Sequence, residues 1–345
     1  MSSSPGSPIS RRGKAGVLQV DTDGLVAAAY VHRSSRAMDP QLHTHVVVAN
    51  RVRCADGAWR ALDARELYGC QKAAGAVYQV ALRSRLTRRL GAAWTKVDVN
   101  GQADVLGVPE ELCDRFSTRR HQVEQQAARL VAEREVVLGR PLTAGERAVE
   151  YQTATYITRP PKAHDGVTDD TLVGRWEAEA DELGLGSDRW LGDVVGRAGY
   201  WLSRDGDDAG RIADEVVAEL AEDRSAWSRA HATHGVARRL GPVTGVASNV
   251  VDEVEGIVDV VMAHPEVVRL AAPPSAAVPE ALARRDGRAT MERHGGARYT
   301  TRETLRVEGR VLDAVSRGRD TSRGVADPAG VAVAIGDAGL SADQT

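Results

Sequence analysis

Three of the nine histidines fall in one short stretch, His32-Arg33-Ser34-Ser35-Arg36-Ala37-Met38-Asp39-Pro40-Gln41-Leu42-His43-Thr44-His45. The run before it, Leu25 to Val31, is apolar and reads as a strand, and so does Val46 to Asn50 after it. Asp39-Pro40 between them is a turn signal. The simplest fold is an antiparallel hairpin, with His32 near the end of one strand and His43 near the start of the next. Side chains alternate faces along a strand, so His43 and His45 point the same way. The turn brings His32 opposite or diagonal to them, within about 8 Å. A register that puts His32 on that face converges three imidazoles from two adjacent strands. Neutral imidazole suits Zn, Cu, Fe, Ni and similar divalent ions. Three protein ligands with an open position is the pattern of a catalytic metal site. A lone His-x-His is more often the polar face of a half-buried strand. The third histidine, placed by a turn, favours a metal triad of His32, His43 and His45.

The same residues carry a resemblance. His32-Arg33-Ser34-Ser35-Arg36, followed by Asp39-Pro40-Gln41-Leu42-His43-Thr44-His45-Val46-Val47-Val48-Ala49-Asn50, resembles the histidine-triad motif of TrwC-type (MobF) conjugative relaxases, members of the HUH endonucleases. The match continues through Asp56-Gly57-Ala58-Trp59-Arg60-Ala61-Leu62-Asp63, Leu67-Tyr68, Lys72-Ala73-Ala74-Gly75, Tyr78, Arg88, Leu90-Gly91 and Phe116-Ser117, and is specific over about residues 12 to 160. The resemblance implies a divalent ion (Mg, Mn or Zn-like) on the triad, orienting and polarising the scissile phosphate of single-stranded DNA. It also implies a tyrosine that attacks the phosphorus and becomes joined to the 5′ end. The partners it implies are single-stranded DNA at a transfer origin and relaxosome proteins. Arg33, Arg36, Arg119 and Arg120 are the DNA-contact candidates, with His121 and Arg159 as further phosphate contacts; ordinary helix surface is the plainer reading of each.

The family-like sequence begins near Arg12-Gly13, and no tyrosine precedes Tyr30. The expectation is therefore a chain truncated ahead of the family's tyrosine segment. Tyr30 lies two residues before His32, on the same face, and is the candidate substitute nucleophile; an aromatic packing on a strand is the plainer reading.

The expected fold class is α+β: a partial relaxase palm, made of a small antiparallel sheet with helices, followed by a mostly α-helical region. Residues 1–14 read as a disordered start, 15–160 as the relaxase domain, 161–270 as helical, 271–280 as a linker, and 281–345 as the start of a helicase-like region. Strands are expected only in the first 110 or so residues. Residues 16–33 and 42–54 read as strands; the first is largely apolar on both faces, hence covered on both sides. Asp63 reads as the cap of a helix to about Leu90, with an apolar stripe of Leu67, Ala74, Val77, Ala81 and Leu82 and a basic end of Arg83, Arg85, Arg88 and Arg89. A second hairpin turns at Asn100-Gly101. Helices follow at Pro109, at Ser117 to Leu138, from the capping box Thr143-Ala144-Gly145-Glu146 to Ile157, and from Thr168 to about Gly184. Val251, Val254, Ile257, Val258 and Val261 recur at helical spacing and read as core. His231 and His234, one turn apart, read as a surface pair.

Composition limits the rest. Forty-five basic against 48 acidic residues give a net charge of −3, so any DNA site is a local basic patch. Cys54, Cys70 and Cys113 show neither metal spacing nor a disulfide pattern, which fits a cytoplasmic chain with reduced thiols. No apolar run is long enough to span a bilayer. The tail, closing Gly339-Leu340-Ser341-Ala342-Asp343-Gln344, resembles the entry to a helicase domain, but no Gly-x-x-x-x-Gly-Lys-Ser/Thr occurs, so no ATP site is assigned. Three function classes stand at this point: a metal-dependent DNA nickase, a catalytically inactive remnant that binds metal and single-stranded DNA, and an unrelated three-histidine metal hydrolase. The residues around the triad speak against the third.

Overall fold

The computed structural model describes residues 8–161, 168–196, 208–241, 249–270, 278–285, 287, 289–292 and 295–320. The chain is α+β. Its strands form four two-stranded antiparallel ladders among the described residues rather than one small sheet.

The first ladder pairs β1 (Ile9–Arg12) with β2 (Leu18–Asp21). Residues 9–12 are thus ordered, against the expectation of a disordered start. Ile9 is buried, and Ser10 donates its hydroxyl to Ala61 O at 2.7 Å, so the polar composition of the start conceals a paired strand. The hairpin of β3 (Ala27–Ser34) and β4 (Pro40–Val48) comes next, then the short ladder of β5 (Val52–Arg53) and β6 (Trp59–Arg60). Isolated bridges Ser10–Leu62 and Thr22–Cys54 knit the first ladder to the third.

The β3–β4 hairpin overturns one expectation. Its residues are not covered on both sides: Val31, Leu42, Val46 and Val47 are all exposed. Burial needs a layer against each face, and among the described residues neither strand has a second partner strand.

Helix α1 (Arg65–Leu90) ends at Gly91, whose φ of +65° suits glycine and whose N–H donates to Thr87 O. A side chain there would also strike Gly196, whose N–H bonds Leu90 O. The cap at the other end is Ala64. Asp63 lies one residue earlier and accepts from Arg11 Nε at 2.7 Å and Arg65 Nε at 3.0 Å. The fully buried stripe of α1 is Ala73, Ala76, Val80, Arg83, Ser84 and Thr87; of the expected stripe, Val77 and Ala81 pack against the core from its margin, whereas Leu67 and Ala74 are exposed. Arg83 belongs to the core rather than to a basic end. It donates to Gly101 O at 2.8 Å and Leu240 O at 3.1 Å, and burial lowers its pKa.

The second expected hairpin reduces to the single bridge Trp94–Val105 around the Asn100-Gly101 turn. Helices α2 (Glu110–Arg115), α3 (Thr118–Leu138), α4 (Ala144–Ile157), α5 (Asp169–Glu182) and α6 (Ser187–Val194) follow. The capping box at α4 forms as read: Thr143 Oγ1 accepts from Glu146 N while Glu146 accepts from Thr143 N.

The core lies among α1, α7 (Asp208–Asp223), α8 (Arg229–Ala237) and α9 (Val250–Met262), with Trp227 fully buried between them. Val254, Ile257, Val258 and Val261 take their expected core places, whereas Val251 is exposed and Val250 buried. The helical region does not run unbroken to 270. Strand β7 (Val267–Leu270) pairs with β8 (Arg298–Thr301), a strand pair beyond the expected limit. Trp227 and Tyr299 exchange backbone hydrogen bonds and stack, which ties this ladder to the core.

The described residues between 278 and 301 therefore pack with what precedes them. The buried Arg284 donates to Gln19 Oε1 at 2.9 Å, and Arg285 N donates to Asp21. Helix α10 (Arg302–Asp320) leaves from β8. Residues 271–277 of the expected 271–280 linker and the tail at 321–345 lie outside the described residues, as do residues 1–7.

Candidate metal centre

The register of the β3–β4 ladder decides the site. His32 lies directly opposite His43, and Tyr30 opposite His45. Opposed residues in an antiparallel pair share a face, so one face of the hairpin carries Tyr30, His32, His43 and His45. The ring centroids are 5.3 Å apart for His32–His43, 4.7 Å for His32–His45 and 5.0 Å for His43–His45. One nitrogen from each ring lies within 4.8 Å of the others. Nitrogens bound tetrahedrally to one ion at about 2.1 Å lie about 3.4 Å apart, so a closure of up to about 1.4 Å, supplied by side-chain rotation, admits an ion. His43 Nδ1 sits 2.9 Å from the Gln41 carbonyl oxygen. A proton on Nδ1 makes that contact a hydrogen bond and leaves the Nε2 lone pair for a metal, the usual arrangement for a ligating imidazole. The donor set fits a divalent cation. No other group of three candidate ligands converges among the described residues.

The hairpin tip is held from within and from outside. Ser35 Oγ accepts from Ala37 N and Asp39 N, closing the turn. The register shifts between His32 and Ser34, a bulge that aims the end of β3. Trp176 Nε1 on α5 donates to Met38 O at 2.7 Å, docking the tip on the helical region.

The four arginine candidates have protein partners. Arg33 pairs with Asp169 at 3.3 Å, and Arg36 donates to Pro160 O at 3.2 Å. Arg119 donates to Thr155 O and Thr158 O, bracing α3 against α4. Arg120 is 2.8 Å from Glu124, which raises its pKa. His121 faces Asp114 at 2.9 Å. Arg36 and Arg120 remain exposed, whereas Arg119 is half-buried. Tyr30 does not pack as an aromatic in a covered sheet; it is 55% exposed.

His231 and His234 are half-buried rather than a surface pair. His231 Nδ1 accepts from Ser228 N at 3.0 Å, closing the N-terminal turn of α8. Two aromatic side chains that share a cleft with the hairpin tip escaped the sequence reading, Tyr151 and Tyr156. Their spacing on α4 has no helical periodicity, and the available signal was aromatic residues interleaved with arginine, ending at Arg159.

Fold and site together define a chain with a three-histidine centre on a β-hairpin, docked at its tip against a helical region. The TrwC relaxase family model matches residues 8–183, half of the chain, and the chain belongs to that family. The multifunctional conjugation protein TraI of Escherichia coli is 28% identical over 243 residues, and TraI of strain K12 is 27% identical over 243 residues. Each alignment covers 65% of this chain but only 12% of the relative's length. Among solved structures, the metal-bound complex of conjugative relaxase TrwC with OriT DNA is similar at 28% identity and a TM-score of 0.41, over 52% of this chain and 57% of that one. A complex of TrwC with mutant OriT DNA is similar at 29% identity and a TM-score of 0.42, over 52% and 60%. No helix among the described residues is long and apolar enough to cross a membrane.

Proposed function

We propose that this chain is the phosphate-holding part of a conjugative relaxase. In this reading His32, His43 and His45 hold a divalent cation that seats the scissile phosphate of single-stranded DNA at an origin of transfer. The observation that carries it is the convergence of three imidazole nitrogens within 4.8 Å on one exposed hairpin face, in a member of the TrwC relaxase family. A divalent cation there polarises a phosphoryl oxygen. The chain's own residues orient the ligands: Gln41 O fixes the His43 ring, and the ladder fixes the spacing of all three.

Nicking by transesterification also needs an activated hydroxyl in line with the phosphorus. Tyr30 is the tyrosine of the hairpin, but its backbone is locked in the ladder opposite His45. That placement favours a chain which binds metal and DNA without forming the phosphotyrosine bond through Tyr30. The relaxosome proteins remain partners of this reading, with the Arg33, Arg36, Arg119 and Arg120 side chains proposed at the DNA.

The test is fluorescence anisotropy of a labelled single-stranded oligonucleotide carrying a transfer-origin nick site, with Mn²⁺ or EDTA. Binding that tightens with Mn²⁺ and discriminates against the duplex is expected. Equal binding of duplex and single strand, indifferent to Mn²⁺, would contradict the reading.

A further inference from the structure

The β3–β4 hairpin has no further partner strand among the described residues, so its tip is held from elsewhere. Residues 35–39 make the turn. Ser35 N donates to Asp39 O and Met38 N to Ser35 O, and the Ser35 hydroxyl oxygen accepts from Ala37 N and Asp39 N. This turn sets Met38 at a φ of +69°, alone among the described non-glycine residues in a positive-φ backbone. A side chain there is strained, and such a residue persists only where its surroundings over-determine it. The carbonyl of that same residue takes the Trp176 indole N–H at 2.7 Å. Trp176 stands on α5, which Arg115 of α2 fastens through Glu179 at 3.0 Å and Glu182 at 3.5 Å. Helix α5 reaches the hairpin a second time: Asp169 in its first turn pairs with Arg33 at 3.3 Å.

The strained turn and the metal centre are linked through the register. His32 pairs with His43, but Ser34 pairs with Pro40, so Gln41 and Leu42 of β4 stand against Arg33 alone. That extra residue is a bulge, and Arg33, which it faces, is the residue that Asp169 holds. The regular register would pair Ser34 with Gln41 and lengthen the turn by Pro40. Ladder carbonyls lie in the plane of the strands, whereas the imidazoles stand off one face. The bulge frees the Gln41 carbonyl from that plane, and its oxygen lies 2.9 Å from His43 Nδ1. The short, strained turn and the contact on His43 therefore form together. We infer that Trp176 is a positioning residue for the metal centre: by holding the Met38 carbonyl it keeps the turn short, the bulge in place and the Gln41 oxygen on His43 Nδ1. A proton fixed on Nδ1 leaves Nε2 for the ion. The inference rests on the reading of the triad as a metal site and carries it to a helix residue 138 positions along the chain from Met38.

The experiment compares the full chain, ¹⁵N-labelled at histidine and free of metal, with Trp176→Phe, which keeps a ring and loses the indole N–H. Two-bond proton–nitrogen spectra read the His43 tautomer, its signals assigned by their loss in His43→Gln. A proton on Nδ1 is expected in the wild type and a mixture of the two tautomers in Trp176→Phe. Titration with Co²⁺, followed by its visible absorption, is expected to show affinity about tenfold weaker in Trp176→Phe, the size of effect seen when support behind a ligand is lost. Met38→Gly adopts positive φ without strain, so adding it to Trp176→Phe restores both readings, which it would not do if the helix had simply come apart. Trp190→Phe removes a comparable bond, from the indole to Leu185 O at 3.1 Å, and leaves both readings unchanged. Wild-type tautomer and affinity in Trp176→Phe, or losses that Met38→Gly leaves uncorrected, overturn the inference alone. A wild-type chain that takes up no Co²⁺ overturns the functional reading, and the His43 tautomer, read without metal, still decides whether Trp176 positions that ring.

Discussion

His32 faces His43 across the β3–β4 ladder, and their ring centroids are 5.3 Å apart. This pairing makes the site: a one-residue slip would send His32 to the opposite face from His43 and His45. The bulge beyond His32 and the dock of Trp176 on Met38 fix the tip only a few residues away.

Tyr30 tests the chemistry. It shares the triad face but is held by the ladder opposite His45. Incubation of the chain with a labelled nick-site oligonucleotide and Mg²⁺ or Mn²⁺, followed by denaturing electrophoresis, should show no covalent protein–DNA band. A band abolished by Tyr30→Phe would make Tyr30 the nucleophile and contradict this account. A band insensitive to that change would direct attention to Tyr68 or Tyr78. Cleavage without an adduct would point to an activated water.

Arg83 tests the core. It is 1% exposed, its two terminal nitrogens serve Gly101 O and Leu240 O, and its Nε has no partner. Arg83→Met keeps most of the volume but leaves two buried carbonyls unpaired. The expected loss in urea denaturation is about 2 kcal/mol, because removal of a buried cation offsets part of the carbonyl cost. A variant as stable as the wild type would show that Arg83 does not staple α1 to the ends of its neighbours.

His231 gives a pH dependence with a definite sign. Burial lowers its pKa, aided by Arg224, Arg298, His234 and Lys72; His234 is lowered for the same leading reason. The unfolded chain therefore takes up protons near the ordinary histidine pKa, while the folded chain takes them up only at lower pH. Stability should fall as the pH drops below about 6.5 and level off below the folded pKa values. His231→Gln can still accept from Ser228 N–H, as glutamine does in a capping box, and cannot titrate. Thermal melts from pH 7.5 to 5 should show a weaker pH dependence in the variant. Curves parallel to the wild type would remove His231 as a source.

The triad was legible in the sequence because a period of two and a turn signal suffice to place His32, His43 and His45. The α4 cap was legible because Thr143 and Glu146 act locally. The rest depends on distant partners. Arg83 sits in a run of arginines that reads as a solvated helix end, and only Gly101 and Leu240 reveal it as buried. Val267 to Leu270 is a strand because residues 298–301 lie alongside, over 25 residues away in sequence. The apolar faces of β3 suggested cover on both sides, which none of the described elements supplies.

The central claim is that three imidazoles hold one divalent cation. Elemental analysis of the purified chain, loaded with Mn²⁺ or Zn²⁺ and then desalted, tests it directly against a His43→Ala/His45→Ala double variant. The account predicts about one ion per wild-type chain and background in the variant, since one remaining imidazole cannot chelate. Equal stoichiometry in the two proteins would contradict it.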